Sequence, residues 1–284
     1  MKTEFLRKPE WLRQSQACKK DFGKTASLLN KNSLNTICES GRCPNRNECW
    51  SHGTATFMIG GEVCTRACKF CNTLSGKPMS LDVDEPSRLA EAVLKLQLKY
   101  VVITSVTRDD LADGGLHHWE ECVRAIKGVN KELNVEVLIP DFRGDKSAID
   151  QMSSLDVAVI AHNIETVRRL TPYVRSVATY DGSMAVLQQI TKNEKIAKSG
   201  LMLGLGESTE EVYTTLQDLL DVGCKIVTIG QYLRPSRKHL PVEKYYTPEE
   251  FEVIKSKAEA MGFRHVECGP FVRSSYNASK AMCK

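Results

Sequence analysis

The chain of 284 residues contains no apolar run of about 18 residues, the minimum for a membrane-crossing helix, so no span is expected. Its first ten residues, Met-Lys-Thr-Glu-Phe-Leu-Arg-Lys-Pro-Glu, hold no apolar signal core, and Glu4 and Glu10 argue against a transit peptide. Neither sign of charge dominates. Thirty-nine Lys and Arg against 35 Asp and Glu leave +4, which suits a solvated surface better than a nucleic-acid footprint. No internal repeat, low-complexity tract or linker divides the body. A bacterial-type cytoplasmic protein that binds neither membrane nor nucleic acid is expected. With 42 % apolar residues it has ample material for a core, in one large barrel or two ordinary domains.

Cysteine, by contrast, is plentiful. Eleven in a chain without an export signal point to metal or redox chemistry rather than a disulfide framework. Six lie between Ile37 and Asn72, as two triplets: Cys38, Cys43 and Cys49 (C-x4-C-x5-C), then Cys64, Cys68 and Cys71 (C-x3-C-x2-C). Three readings compete for the second triplet. Its i, i+4, i+7 spacing could be a buried helix stripe, but Thr65, Arg66, Ala67 and Lys69 support a packed helix weakly. A structural zinc would lack its fourth ligand unless the triplets shared metals. An iron–sulfur cubane held at three corners would leave one iron open for chemistry.

From residue 54 the chain alternates. Nearly continuous apolar runs at Thr54–Ile59, Tyr100–Val106, Val135–Ile139, Val157–Ala161, Leu201–Leu205 and Lys225–Gly230 read as parallel strands buried on both faces. Helix-like stretches separate them. Pro86–Leu98 starts on proline. Ser208-Thr-Glu-Glu211 and Thr247-Pro-Glu-Glu250 are capping boxes, and Gly223 and Gly262 close the helices they open. Strand alternating with helix predicts βαβ units with right-handed crossovers, hence a barrel or a doubly wound sheet. Six units suit an incomplete β/α barrel. In barrels, chemistry sits at the strand C-termini. A polar motif follows each run directly: Cys64, Asp109–Gly115, Pro140-Asp141, His162-Asn163, Gly206-Glu207 and Gln231-Tyr232.

The C-x3-C-x2-C motif, with aromatic Phe70 before its last cysteine, resembles the signature of the radical S-adenosylmethionine superfamily. The upstream triplet resembles the auxiliary-cluster motif of the lipoyl synthase family, and Arg273-Ser274-Ser275-Tyr276 its RSSY motif. The resemblance runs from about Leu6 to Tyr276. It implies an α/β fold: an incomplete barrel of about six parallel strands, its mouth covered by N- and C-terminal extensions. The expected partition is an arm and auxiliary-cluster loop at 1–53, the barrel at 54–262 and the RSSY extension at 263–284. Two 4Fe–4S clusters are implied. Cys64, Cys68 and Cys71 would hold the one that cleaves S-adenosylmethionine. Cys38, Cys43 and Cys49 would hold the other, with a serine as fourth ligand; Ser275 is favoured over Ser274, though both could simply turn the backbone. Arg273 could anchor the motif or place a charge near the cluster. Phe70, Thr104, Asn163, Glu165, Lys198 and Gly204 are the expected S-adenosylmethionine contacts, although Gly204 is equally a turn glycine and Lys198 a plain surface charge.

The implied reaction replaces hydrogens by sulfur at C6 and C8 of an octanoyl group on a lysine of a carrier domain. That carrier is the lipoyl domain of an E2 subunit or a glycine cleavage H protein. Two S-adenosylmethionine molecules would be used per product, electrons would come from flavodoxin or ferredoxin, and an iron–sulfur carrier would repair the spent cluster. Among rivals, another radical enzyme with an auxiliary cluster would not share the first triplet together with RSSY. A ferredoxin-like electron carrier leaves a barrel-sized body without purpose, and a zinc-stabilised binding module remains. Cys18, Cys122, Cys224, Cys268 and Cys283 receive no ligand role, and His162 is expected to be a satisfied core histidine.

Overall fold

A computed structural model describes residues 6–13, 22–52 and 54–282; Cys18 and Cys283 lie outside them. Seven strands form one parallel sheet: β1 (Thr56–Ile59), β2 (Tyr100–Ser105), β3 (Asn134–Leu138), β4 (Val159–Ala161), β5 (Ile196–Leu203), β6 (Ile226–Gln231) and β7 (His265–Gly269). Their spatial order equals their chain order, and each neighbouring pair is parallel. This decides between the two architectures open from sequence. A doubly wound sheet reverses its strand order at a switch point. With no reversal, right-handed crossovers put every helix on the same side, and the sheet must curl inward as a barrel. β1 and β7 do not pair, so the barrel is incomplete.

Six expected strands were in place, with two differences. β5 begins at Ile196, well before Leu201, because Lys198, Ser199 and Gly200 are polar or small yet belong to the strand. β7 was not expected at all. It is an edge strand, and His265 and Glu267, hydrogen-bonded to each other at 3.1 Å on it, interrupt any continuous apolar run. The helices follow the capping logic. Both expected capping boxes close, opening Thr209–Asp221 and Pro248–Met261. Gly223 and Gly262 follow these helices at φ of 84° and 109°, where a side chain would be strained. The helix Glu85–Lys95 carries its proline in the first turn.

The arm is bound to the body through a helix, Phe22–Lys31. Phe22 stacks on Trp50 with centroids 5.2 Å apart, and Thr25 donates to the Trp50 carbonyl at 2.8 Å. Thr36 then bridges antiparallel to Phe57 of β1, which delivers the first cysteine triplet to the barrel.

Candidate active site

The C-terminal ends of β1 to β6 open into a cavity of about 360 Å³. Five of the six motif cysteines line it (Cys38, Cys43, Cys64, Cys68 and Cys71), with Ser274 and Ser275. The C-x3-C-x2-C loop follows β1. Val63–Cys64 pairs with Leu74–Ser75, so the loop is clasped at its base. Its centre is Arg66, whose side chain is only 6 % exposed. The guanidinium donates to Asp109 at 2.7 and 3.0 Å and to Asp141 at 2.8 and 2.7 Å. Burial alone would lower the Arg66 pKa and raise that of Asp141. The hydrogen bonds outweigh it in both, holding Arg66 above and Asp141 below the usual range. The fork thus joins the cysteine loop to the ends of β2 and β3. Cys64 Sγ accepts from the amides of Arg66 and Thr107, both at 3.4 Å. Burial pushes the Cys71 thiol up; Thr73 opposes this, and Cys68 and Glu165 add to it.

The other triplet sits on two helical turns, Ile37–Ser40 and Arg46–Ser51. Burial pushes Cys49 up to about 12, helped by the charges of Cys38, Cys43 and Glu48. Burial also raises Cys43, with Cys38 adding to it and Arg273 and Arg46 opposing. Three thiols that repel one another when ionised fit a cationic iron core, which reverses that balance. Three thiols per set fit a cubane cluster, which takes one thiolate per corner and can leave one iron open, better than a structural zinc, which needs a fourth ligand.

The RSSY segment reaches this triplet by crossing β6 at Gly230, where an added Cβ would lie 2.1 Å from the Val272 carbonyl oxygen. Asn45 fastens it, donating to the Phe271 carbonyl at 2.7 Å. The two serines face different partners. Ser274 Oγ accepts from Asn163 Nδ2 at 2.7 Å. Ser275 Oγ accepts from Thr56 Oγ1 at 2.7 Å, and Thr56 also favours the Cys38 thiolate. Arg273 lines the cavity beside Cys43; it donates to the Val272 carbonyl at 2.6 Å and has no carboxylate partner among the described residues.

The opposite wall is polar and partly unsatisfied. Glu165 sits at φ 68°, a left-handed conformation costing about 1–3 kcal/mol in a residue with a side chain. Two backbone bonds to β5 hold it there: its amide donates to Gly200 O and its carbonyl accepts from Met202 N, both at 2.9 Å. Burial raises its carboxyl pKa, while Arg175 and Asn163 pull it down. Asn163 Oδ1, Ser105 Oγ and Arg175 Nε are buried without hydrogen-bond partners. An added Cβ on Gly200 would lie 2.7 Å from Asn163 Oδ1. Orphaned polar atoms beside a glycine cradle fit a polar ligand such as S-adenosylmethionine.

Of the expected contacts, Phe70, Thr104, Asn163 and Glu165 line the cavity. Two do not. Lys198 is 2 % exposed and bonds Glu136 at 2.6 Å inside the barrel, so it is neither a surface charge nor a wall of the site. Gly204 faces Gln231 and the Lys244 carbonyl, which an added Cβ would strike at 2.2 and 2.5 Å. His162 is buried with both nitrogens bonded. Nδ1 donates to Ile139 O at 3.0 Å, which leaves Nε2 to accept from Ser183 Oγ at 3.0 Å. Burial, aided by Arg175, lowers its pKa to about 4, so it is a neutral core histidine as expected. The residues that sequence reading missed are Arg66 and Arg175. The available signal was an arginine inside the cysteine loop facing acids placed directly after two strands.

Among the described residues no helix is long and apolar enough to cross a membrane. The Radical SAM superfamily model matches residues 58–219. The chain is 52 % identical to the lipoyl synthase of Parabacteroides distasonis over 98 % of its own length and 99 % of the relative's. It is 52 % identical to the lipoyl synthase of Bacteroides fragilis YCH46 over 97 % and 96 %. Its fold is similar to that of methylornithine synthase, with a TM-score of 0.54 at 15 % identity, covering 81 % of this chain and 69 % of the other. At that identity the likeness concerns the fold alone, whereas the two bacterial sequences match nearly from end to end: the chain belongs to the lipoyl synthase family within the radical S-adenosylmethionine superfamily.

Proposed function

We propose that the chain inserts two sulfur atoms, at C6 and C8, into an octanoyl group carried on a lysine of a lipoyl carrier domain. The observation that carries this reading is one cavity with Cys64, Cys68 and Cys71 on one part of its wall and Cys38, Cys43 and Ser275 on another. Met58, Val102, Leu138 and Met202 line the same cavity, apolar side chains suited to an alkyl chain. The target carbons have no acidity, so acid–base catalysis cannot remove their hydrogens. A 4Fe–4S cluster with S-adenosylmethionine, which superfamily membership implies, supplies the hydrogen-abstracting radical when bound.

The protein's own residues do the rest. Cys64, Cys68 and Cys71 hold three corners of the radical cluster, on a loop that Arg66 fixes. Glu165 and Asn163 bind the polar groups of S-adenosylmethionine, with Thr104 and Phe70 on the same walls. Cys38, Cys43, Cys49 and Ser275 hold a second 4Fe–4S cluster. A serine oxygen is the hard, weak ligand of that set, so its corner would open most readily. The second cluster, when bound, would supply the sulfur; two S-adenosylmethionine molecules would be used per product, with electrons from flavodoxin or ferredoxin and an iron–sulfur carrier to restore the cluster.

The test loads the protein with heavy-isotope sulfide and gives it an octanoylated carrier domain, unlabelled sulfur donors, reductant and S-adenosylmethionine. Both sulfurs of the first product should be heavy. Unlabelled product would place the sulfur source elsewhere, and no sulfur in the product would end the reading. A Ser275→Cys variant should keep its cluster but insert sulfur more slowly; unchanged insertion removes the weak-ligand argument.

A further inference from the structure

Three segments meet at the rim of the cavity. Lys69 N donates to Val174 O at 3.0 Å, and Leu240 N donates to Lys69 O at 3.3 Å. His239 Nε2 donates to Cys71 O at 3.0 Å, and Arg42 Nη1 to Pro235 O at 3.1 Å. These contacts join residues 63–81, 166–180 and 232–242, and part of each stretch lines the cavity. Within these bounds the segments carry nine Lys and Arg and no Asp or Glu, although Glu62, Asp82, Glu165, Asp181 and Glu243 flank them directly. Arg66, Arg168 and Arg169 are neutralised by carboxylates from elsewhere. Lys69, Arg237 and Lys238 are exposed, and none has a carboxylate partner among the described residues. Lys69 lies over the Tyr173 ring at 4.3 Å. Tyr173 and Val177 beside it are 53 % and 59 % exposed.

Leaving like charges gathered without counter-ions does nothing for stability; oriented around an opening, they attract and align an anionic partner. The lining residues Leu233, Pro235 and Arg175 belong to the same segments, so whatever docks on this rim stands directly over the cavity. We infer that the rim is the docking surface for the carrier domain, which presents carboxylates around its octanoyl-lysine to Lys69, Arg237 and Lys238 and an apolar contact to Tyr173 and Val177. This inference rests on the function proposed above, and names the chemistry by which that partner is recognised.

Lys69 lies within the cysteine loop, so the test uses Arg237→Glu/Lys238→Glu in the cluster-loaded protein. Two substrates are compared: an octanoylated carrier domain and an uncharged tripeptide bearing octanoyl-lysine. The double variant should bind the domain at least about tenfold more weakly, or about 1.4 kcal/mol. It should also lose most of the salt dependence of that binding. The tripeptide KM and 5′-deoxyadenosine yield should stay within about twofold. Arg237→Lys/Lys238→Arg should bind the domain normally. Equal weakening for domain and tripeptide would overturn the inference, as would unchanged domain binding or equal charge-sensitivity toward a single-stranded RNA. Failure of the parent reading looks different: the unaltered protein would then convert neither substrate.

Discussion

Replacing Arg66 with methionine should dislodge the radical-cluster loop while leaving the barrel standing. The substitution keeps length and removes a cation that donates four hydrogen bonds of 2.7–3.0 Å to Asp109 and Asp141. Those two carboxylates, 24 % and 12 % exposed as side chains, would then face each other uncompensated. Breaking a buried pair by removing one partner costs about 3–5 kcal/mol; their partial exposure puts the loss here near the lower end, about 3 kcal/mol. In a domain of this size each kcal/mol moves Tm by roughly 2–4 °C, so a fall of about 6–12 °C is expected by calorimetry on anaerobic protein. Iron per chain should drop toward the content of one cluster, because the loop carries Cys64, Cys68 and Cys71 while the other triplet is anchored elsewhere.

The pH dependence gives an independent check. In the unaltered protein the folded pKa of Asp141 is depressed, so its stabilisation is complete above the unfolded value, about 3.9, and is lost as pH falls through the still lower folded value. It therefore adds no slope between pH 6 and 8. In the variant, burial and mutual repulsion raise a carboxyl pKa, so the penalty grows with pH from the unfolded value, about 3.9, up to the raised folded value and is constant above it. The Tm gap should widen as pH rises from about 4 through that raised value. A second variant, Arg66→Met with Asp109→Asn and Asp141→Asn, should recover much of the lost Tm. A gap that does not change with pH and shows no recovery in the triple variant would refute the argument, for then Arg66 acts by packing alone.

Changing Cys64, Cys68 and Cys71 together to alanine should abolish 5′-deoxyadenosine formation while about one cluster of iron remains; continued cleavage of S-adenosylmethionine would reassign the motif. Glu165→Ala should weaken S-adenosylmethionine binding about tenfold, the scale of a lost charge-assisted hydrogen bond; equilibrium dialysis giving an unchanged Kd would mean that Glu165 serves the chain path alone. His162, with its folded pKa lowered to about 4, should show no ring titration by NMR between pH 6 and 8 in diamagnetic, iron-free protein. Its burial in the neutral form stabilises fully above about pH 6.5, and that contribution diminishes as pH falls from there toward 4; a titration near neutrality would contradict its two hydrogen bonds.

Apolar runs made the strands legible because parallel strands are covered on both faces, and β1 to β4 and β6 lie within two residues of the expected positions. β7 escaped because an edge strand can carry His265 and Glu267. The cysteines were legible because six of them crowd into 36 residues, and the polar residues between Cys64 and Cys71 support a packed helix weakly. Lys198 shows where such reading stops. A lysine at the end of a polar tripeptide looks solvated, yet it is covered because Glu136, on β3 and itself 1 % exposed, supplies its counter-charge. Tyr100 completes the group, donating to Glu136 at 2.6 Å. Pairings of that kind join residues far apart in sequence, and no local period encodes them. Arg66 escaped for the same reason, since Asp109 and Asp141 lie 43 and 75 positions away.

In the proposed auxiliary donor set the serine arrives from the far end of the chain, and the contacts that bring it there are specific. Gly230 must lack a side chain for the segment to cross β6. Asn45 takes the Phe271 carbonyl, and Asn163 takes Ser274. With Ser274 bonded to the wall that carries Glu165, only Ser275 is left beside Thr56 and the Cys38 triplet. Cys38, Cys43 and Cys49 are local to one stretch, whereas Ser275 reaches them only across β6, so the proposed four-ligand set would be complete only in the folded barrel. On the proposed reading the ligands would divide by strength: three thiolates belong to one stretch, and the single oxygen donor lies on a separate segment fastened by neutral hydrogen bonds, so that corner would be the one to yield.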